Sequence, residues 1–133
     1  MTAILAVLAF ALWTLVLVFT SVNWRVLEVL RGKGINSWGR DDGIPVPAIV
    51  KRMQHAHLNC LENLPIFAIL VFSAYFLGKQ PVVDGLACYV LYARLGQSLV
   101  HLIGTSQPLV FVRATFYVVQ VLIFFYMFWG LLA

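Results

Sequence analysis

Charged side chains are scarce in this chain: they make up 11% of its 133 residues, against 62% hydrophobic residues and a mean hydropathy of +0.94. A soluble domain of this length has too small a core to hide so many apolar side chains, so a water-soluble fold is excluded. Cysteine is nearly absent as well. Cys60 and Cys88 both fall in apolar stretches, where single thiols behave as small hydrophobes, so neither a disulfide nor a redox compartment follows. No Gly-x-Gly-x-x-Gly follows a strand, no serine has the spacing of a nucleophile elbow, and Arg31-Gly-Lys-Gly resembles a phosphate loop only in its glycines. His55 and His57, two apart on a helix, point about 200° away from each other and cannot chelate one metal. With no protein nucleophile in view, any chemistry has to bring its nucleophile with a bound cofactor. Internal repeats and low-complexity tracts are also missing.

What is present is four apolar runs, Ala3 to Val22, Leu58 to Leu77, Val82 to Ile103 and Leu109 to Leu132. Each is near the ~20 residues needed to cross ~30 Å of hydrocarbon. The expectation is an all-α integral membrane protein, a single domain over residues 1–133 forming a four-helix up-down bundle. The first run lacks a basic n-region and a small-residue cleavage site, which reads as a retained helix. Arg25, Arg31, Lys33, Arg40, Lys51 and Arg52 all lie between runs one and two, so the positive-inside rule places residues 25–52 in the cytoplasm and both termini on the opposite side. The formal charge of +4 is mostly this topology signal, and nucleic acid is not an expected partner. Pro81 and Pro108 suit first helical turns, Gly78 and Gly104 suit helix ends, and Pro45 and Pro47 precede helix two. Pro65 should kink helix two or loosen its ladder near Leu61 and Glu62. The stretch from Arg31 to Val46, with Gly32, Gly34, Gly39, Gly43, Asp41 and Asp42, reads as a long irregular loop.

Polar residues inside the spans gather into stripes. At about 100° per residue, Arg52, His55, Asn59 and Glu62 share one face of helix two; Arg94, Gln97 and His101 share one face of helix three; Arg113, Tyr117 and Gln120 share one face of helix four. A charge in hydrocarbon costs at least ~2.5 kcal/mol, so Glu62, Arg94 and Arg113 must face protein and find partners there. Two readings stand side by side for Glu62 and Arg94: a structural ion pair, or part of a working site. Arg113 has no carboxylate on its own helix, and an unpaired cation near the mouth of a bundle is suited to receive an anion.

The run Arg52-Met-Gln-His-Ala-His-Leu-Asn59-Cys-Leu-Glu62-Asn63-Leu-Pro65-Ile-Phe67, followed by Ala93-Arg94 and by Arg113 with Tyr117, resembles the MAPEG family, the membrane-associated proteins of eicosanoid and glutathione metabolism, and within it the microsomal glutathione transferases. The similarity covers nearly the whole chain. It implies a homotrimer with glutathione as cofactor, bound at subunit interfaces between helices one and two of one chain and helices three and four of its neighbour. By the same resemblance Arg113 and Tyr117 are the catalytic pair. Asn59, Glu62, Arg94, Gln97, His101 and Arg52 are glutathione-binding candidates, with Arg25 or Arg31 supplying the helix-one arginine. Relative to the prostaglandin synthase branch, Leu58 replaces an arginine, Gln97 and His101 replace His and Tyr, and Ala114 replaces the serine beside the catalytic arginine.

The implied chemistry is physically sound. A thiol with a pKa near ~8.5 is only a few per cent ionised at neutral pH, and a guanidinium in a low-dielectric pocket favours the charged sulfur, each unit of depression being worth ~1.4 kcal/mol. The implied activity is transfer of glutathione, or peroxide reduction with it, to hydrophobic electrophiles drawn from the bilayer. A non-catalytic lipid- or partner-binding scaffold, in the manner of the lipoxygenase-activating protein, is the alternative. A proton-coupled transporter using Glu62, Arg94 and His101 as a relay is a third reading, which the missing inverted repeat disfavours.

Overall fold

Lipid offers backbone N–H and C=O groups no partners, so apolar runs of this length satisfy them internally as helices. The computed structural model describes residues 1–36 and 45–133. Among these the chain forms α1 (Ala3–Leu30), α2 (Ala48–Phe76), α3 (Gln80–Asp84), α4 (Ala87–Ile103) and α5 (Gln107–Leu132), with no strand among the described residues. The short α3 and α4 together make one span, Gln80–Ile103, so four segments are long and apolar enough to cross a membrane. The expected all-α, four-span architecture is present. Of the expected irregular loop, Gly39, Arg40, Asp41, Asp42 and Gly43 lie outside the described residues.

The helix ends differ from the apolar runs for identifiable reasons. α1 continues past Val22 to Leu30 because Glu28, only 9% exposed, accepts from Arg31 at 2.8 Å and pairs with Lys33, neutralising the cations that follow the apolar run. It closes in a Schellman motif, Gly32 N–H donating to Val29 and Lys33 N–H to Glu28, with Gly32 at φ +98°. α2 starts ahead of Leu58, at Ala48 after Pro47, so Lys51, Arg52, His55 and His57 ride on a polar extension of the helix. Its end repeats the same motif around Gly78 at φ +69°, with Gly78 N–H donating to Tyr75 and Lys79 N–H to Ala74. Pro81 and Pro108 sit in the first turns of α3 and α5, as expected. α2 runs through Pro65 as one helix, although proline has no N–H to give the Leu61 carbonyl.

The third span departs from the continuous helix expected over Val82 to Ile103: Gly85 and Leu86 interrupt it between α3 and α4. Asp84 explains where it breaks. Its Oδ1 accepts from the Ala3 backbone N–H at 2.8 Å and from the Tyr75 hydroxyl at 3.2 Å, so it caps an orphan donor of the first turn of α1 and ties α3 to α2.

α1 packs chiefly on α2 and α4 chiefly on α5, with α1 against α4 joining the two pairs. Phe67 of α2 stacks with Phe124 of α5 at 6.0 Å and lies 6.2 Å from Phe10 of α1. Ala3, Ala6, Ala56, Ala74 and Ala87 in the buried core let the backbones approach closely, as small residues do between membrane helices. Two glycines are required by close contact: a β-carbon at Gly96 would lie 2.8 Å from the Phe116 ring, and one at Gly130 would lie 2.7 Å from Val82. Gly96 therefore sets how closely α5 approaches α4 beside Arg113 and Tyr117.

Candidate functional site

The polar stripes of three helices converge. Asn59 and Glu62 of α2, Gln97 of α4, and Val110, Arg113, Ala114 and Tyr117 of α5 line one cleft of about 260 Å³. The helical period that put each set on one face thus also brings the faces together, and five of the expected site residues meet within a single chain. Gln97 is 4% exposed and its Oε1 has no hydrogen-bond partner, so the cleft wall carries an amide oxygen free to accept. Glu62 is exposed, and neither it nor Arg113 enters an ion pair among the described residues.

Of the two readings of Glu62 and Arg94, the structural ion pair is not formed. Arg94, 1% exposed, lies behind the cleft and donates to Asn59 Oδ1 and, at 2.6 Å, to Gln120 Oε1, while its guanidinium sits 5.4 Å from the Phe10 ring centre. Neutral amide oxygens on α2 and α5 take the place of the carboxylate, because Glu62 turns outward into the cleft and Asn59 is the α2 side chain facing α4. Arg94 thereby fixes the Asn59 amide, whose backbone carbonyl also accepts from Asn63 Nδ2 at 2.8 Å. Behind the same region Cys60 Sγ lies 3.6 Å from Ser98 Oγ.

At the loop-side end of the cleft, Arg113 Nη1 lies 2.9 Å from His101 Nδ1. A guanidinium has no acceptor, so Arg113 donates and His101 accepts on an unprotonated Nδ1, its proton residing on Nε2. His101 is thus turned to Arg113 rather than placed in the cleft wall. His55 packs edge-on against it at 6.0 Å, whereas His57 bonds the Thr14 carbonyl of α1 at 3.2 Å; the two histidines face different neighbours, as their spacing required.

Three other expected ligand contacts lie elsewhere in the chain. Arg52 donates from Nε to the Leu102 carbonyl at 2.9 Å, closing the end of α4. Arg31 is held by Glu28 at 2.8 Å. Arg25 borders a separate groove with Val22, Val26, Val29, Leu30 and Ile35. None of the three lines the cleft. Gln120, the acceptor for Arg94, shares the Arg113 stripe in the sequence, but spacing along one helix carries no signal of which neighbour a side chain will bond.

No curated protein and no solved structure matches this chain. The MAPEG family model matches residues 3–133, which takes in all four spans and every residue of the cleft, and the chain belongs to the MAPEG family.

Proposed function

We propose that the protein is a membrane-bound glutathione transferase, with peroxidase capacity at the same site, acting on hydrophobic electrophiles. The observation that carries this reading is the placement of two charges of opposite sign, Glu62 and Arg113, neither in an ion pair among the described residues, in the lining of one small cleft. Such a cleft suits a peptide that carries both an ammonium and anionic groups. The orphaned Gln97 oxygen and the Asn59 amide add acceptor and donor capacity for peptide bonds. At about 260 Å³ the space within one chain falls just below the ~300–1,000 Å³ typical of small-molecule sites.

Bound there, glutathione supplies the sulfur nucleophile that bonds to the electrophilic centre as the leaving group departs. Arg113 holds negative charge at that sulfur, and the Tyr117 hydroxyl, four residues on along the same face of α5, donates a second hydrogen bond to it. Glu62 receives the ammonium. Arg94 keeps Asn59 in place from behind, and Val110 and Ala114 exclude water from the wall opposite. Tyr117 is 41% exposed, and in this reading an apolar substrate reaches the sulfur from the bilayer. In this reading the chain works as a homotrimer with residues 25–52 facing the cytosol and with its glutathione sites at subunit interfaces.

The test is conjugation of glutathione to 1-chloro-2,4-dinitrobenzene by purified protein. Arg113→Ala should lower the rate by at least about tenfold, the effect of one hydrogen bond to a charged group. A variant as fast as the parent would remove the basis of the proposal. One feature favours a second reading, a non-catalytic scaffold that binds lipid or a partner: Ala114 puts a methyl group in the cleft wall where related enzymes carry a serine. Glutathione should raise the melting temperature of the protein if the first reading holds and leave it unchanged if the second does.

A further inference from the structure

His101 occupies a position that the glutathione-binding reading assigns to a ligand contact, yet it does not line the cleft. It is 9% exposed near the end of α4, and its Nδ1 accepts from Arg113 Nη1 at 2.9 Å. The imidazole therefore takes one donor of the guanidinium and fixes the direction of the rest. His101 is itself held in place. Arg52 of α2 donates to the carbonyl of the adjacent Leu102 at 2.9 Å, which anchors this turn of α4, and His55 of α2 packs edge-on against the ring at 6.0 Å.

We infer that His101 is a positioning residue whose neutral Nδ1 aims the Arg113 guanidinium into the cleft. The inference rests on the proposed role of Arg113 at the glutathione sulfur. Around His101, α2 presents Arg52 and His55 and α5 presents Arg113. No ion pair holds Arg113 among the described residues, so the imidazole acceptor is the side-chain group that orients it, and the remaining donors of the guanidinium are left for the cleft.

The experiment compares wild type, His101→Phe, His101→Asn and Arg113→Ala in detergent, measuring kcat/KM for glutathione with 1-chloro-2,4-dinitrobenzene at neutral pH. Phenylalanine keeps the ring and removes the acceptor. Asparagine places Oδ1 near the position of Nδ1 and does not titrate. His101→Phe should lose about tenfold in kcat/KM at neutral pH, the loss of one hydrogen bond to a charged group, and His101→Asn should recover most of it. A His101→Phe protein as active as the parent, or a His101→Asn protein no more active than His101→Phe, overturns the inference. Should His101→Phe fail to fold, His101→Leu, which also lacks the acceptor, takes its place, and a His101→Leu protein as active as His101→Asn overturns the inference. Failure of the underlying reading looks different: Arg113→Ala would then be as active as wild type, whereas failure of this inference alone leaves Arg113→Ala impaired.

Discussion

Replacing Gln120 by Leu isolates the role of the amides that surround Arg94. Leucine has nearly the volume of glutamine, so packing against the neighbouring Phe124 layer is retained while the Oε1 that accepts from Arg94 at 2.6 Å is lost. Two magnitudes compete. Hydrogen bonds between membrane helices average ~0.6 kcal/mol, because a freed polar group usually finds another partner. A hydrogen bond to a charged group whose loss strands a buried donor is worth ~1.5–3 kcal/mol. The second should win here, because Arg94 is 1% exposed and its Nε already lacks a partner. Gln120→Leu should therefore destabilise the protein by about 2 kcal/mol, roughly thirtyfold in the unfolding equilibrium. The assay is SDS-titrated unfolding in mixed micelles, followed by helical circular dichroism. Combining it with Arg94→Leu should cost less than the sum of the two single changes, since both ends of one contact are then removed. A single-variant loss at or below ~0.6 kcal/mol, or strict additivity, would refute the reasoning.

Other consequences are equally direct. On the proposed reading, in which Glu62 meets the peptide far from its sulfur, Glu62→Gln should raise the KM for glutathione by about tenfold with little change in kcat; steady-state kinetics separates the two. Gly96→Ala should lower stability and activity together, since its methyl group would sit 2.8 Å from Phe116 and push α5 away from α4; a glutathione-induced melting shift that survives unchanged would contradict this. Arg25→Ala should raise the KM for glutathione more than Arg31→Ala, because Arg31 is already engaged by Glu28, whereas Arg25 has no ion pair among the described residues.

The four spans and their polar stripes could be read from hydropathy and a 3.6-residue period because both signals are local to one helix. Asn59, Glu62, Gln97, Arg113 and Tyr117 were legible for the same reason: shared faces at a shared depth have few places to go but toward one another. The partners of Arg94 were not. Whether a guanidinium meets Glu62 or the amides of Asn59 and Gln120 depends on how the helices rotate against each other and how far each side chain reaches, and neither leaves a mark in spacing. The extension of α1 to Leu30 was hidden because hydropathy stops at the first cations, while Glu28 compensates Arg31 and Lys33 locally and lets the helix continue. The interruption at Gly85 and Leu86 was hidden because its cause, Asp84 bonding Ala3 and Tyr75, joins segments distant in the chain.

The claim on which the rest depends is that Arg113 creates a place for a negatively charged sulfur. Calorimetric titration of glutathione into the detergent-solubilised protein at pH 7, repeated in two buffers of different ionisation enthalpy, measures affinity and proton release together. A thiol of pKa near ~8.5 is almost wholly protonated at that pH, so binding as thiolate must release about one proton. The parent should bind with that release, and Arg113→Ala should lose the release and bind more weakly. Binding without proton release, or an Arg113→Ala protein that releases the same proton at the same affinity, would contradict the account.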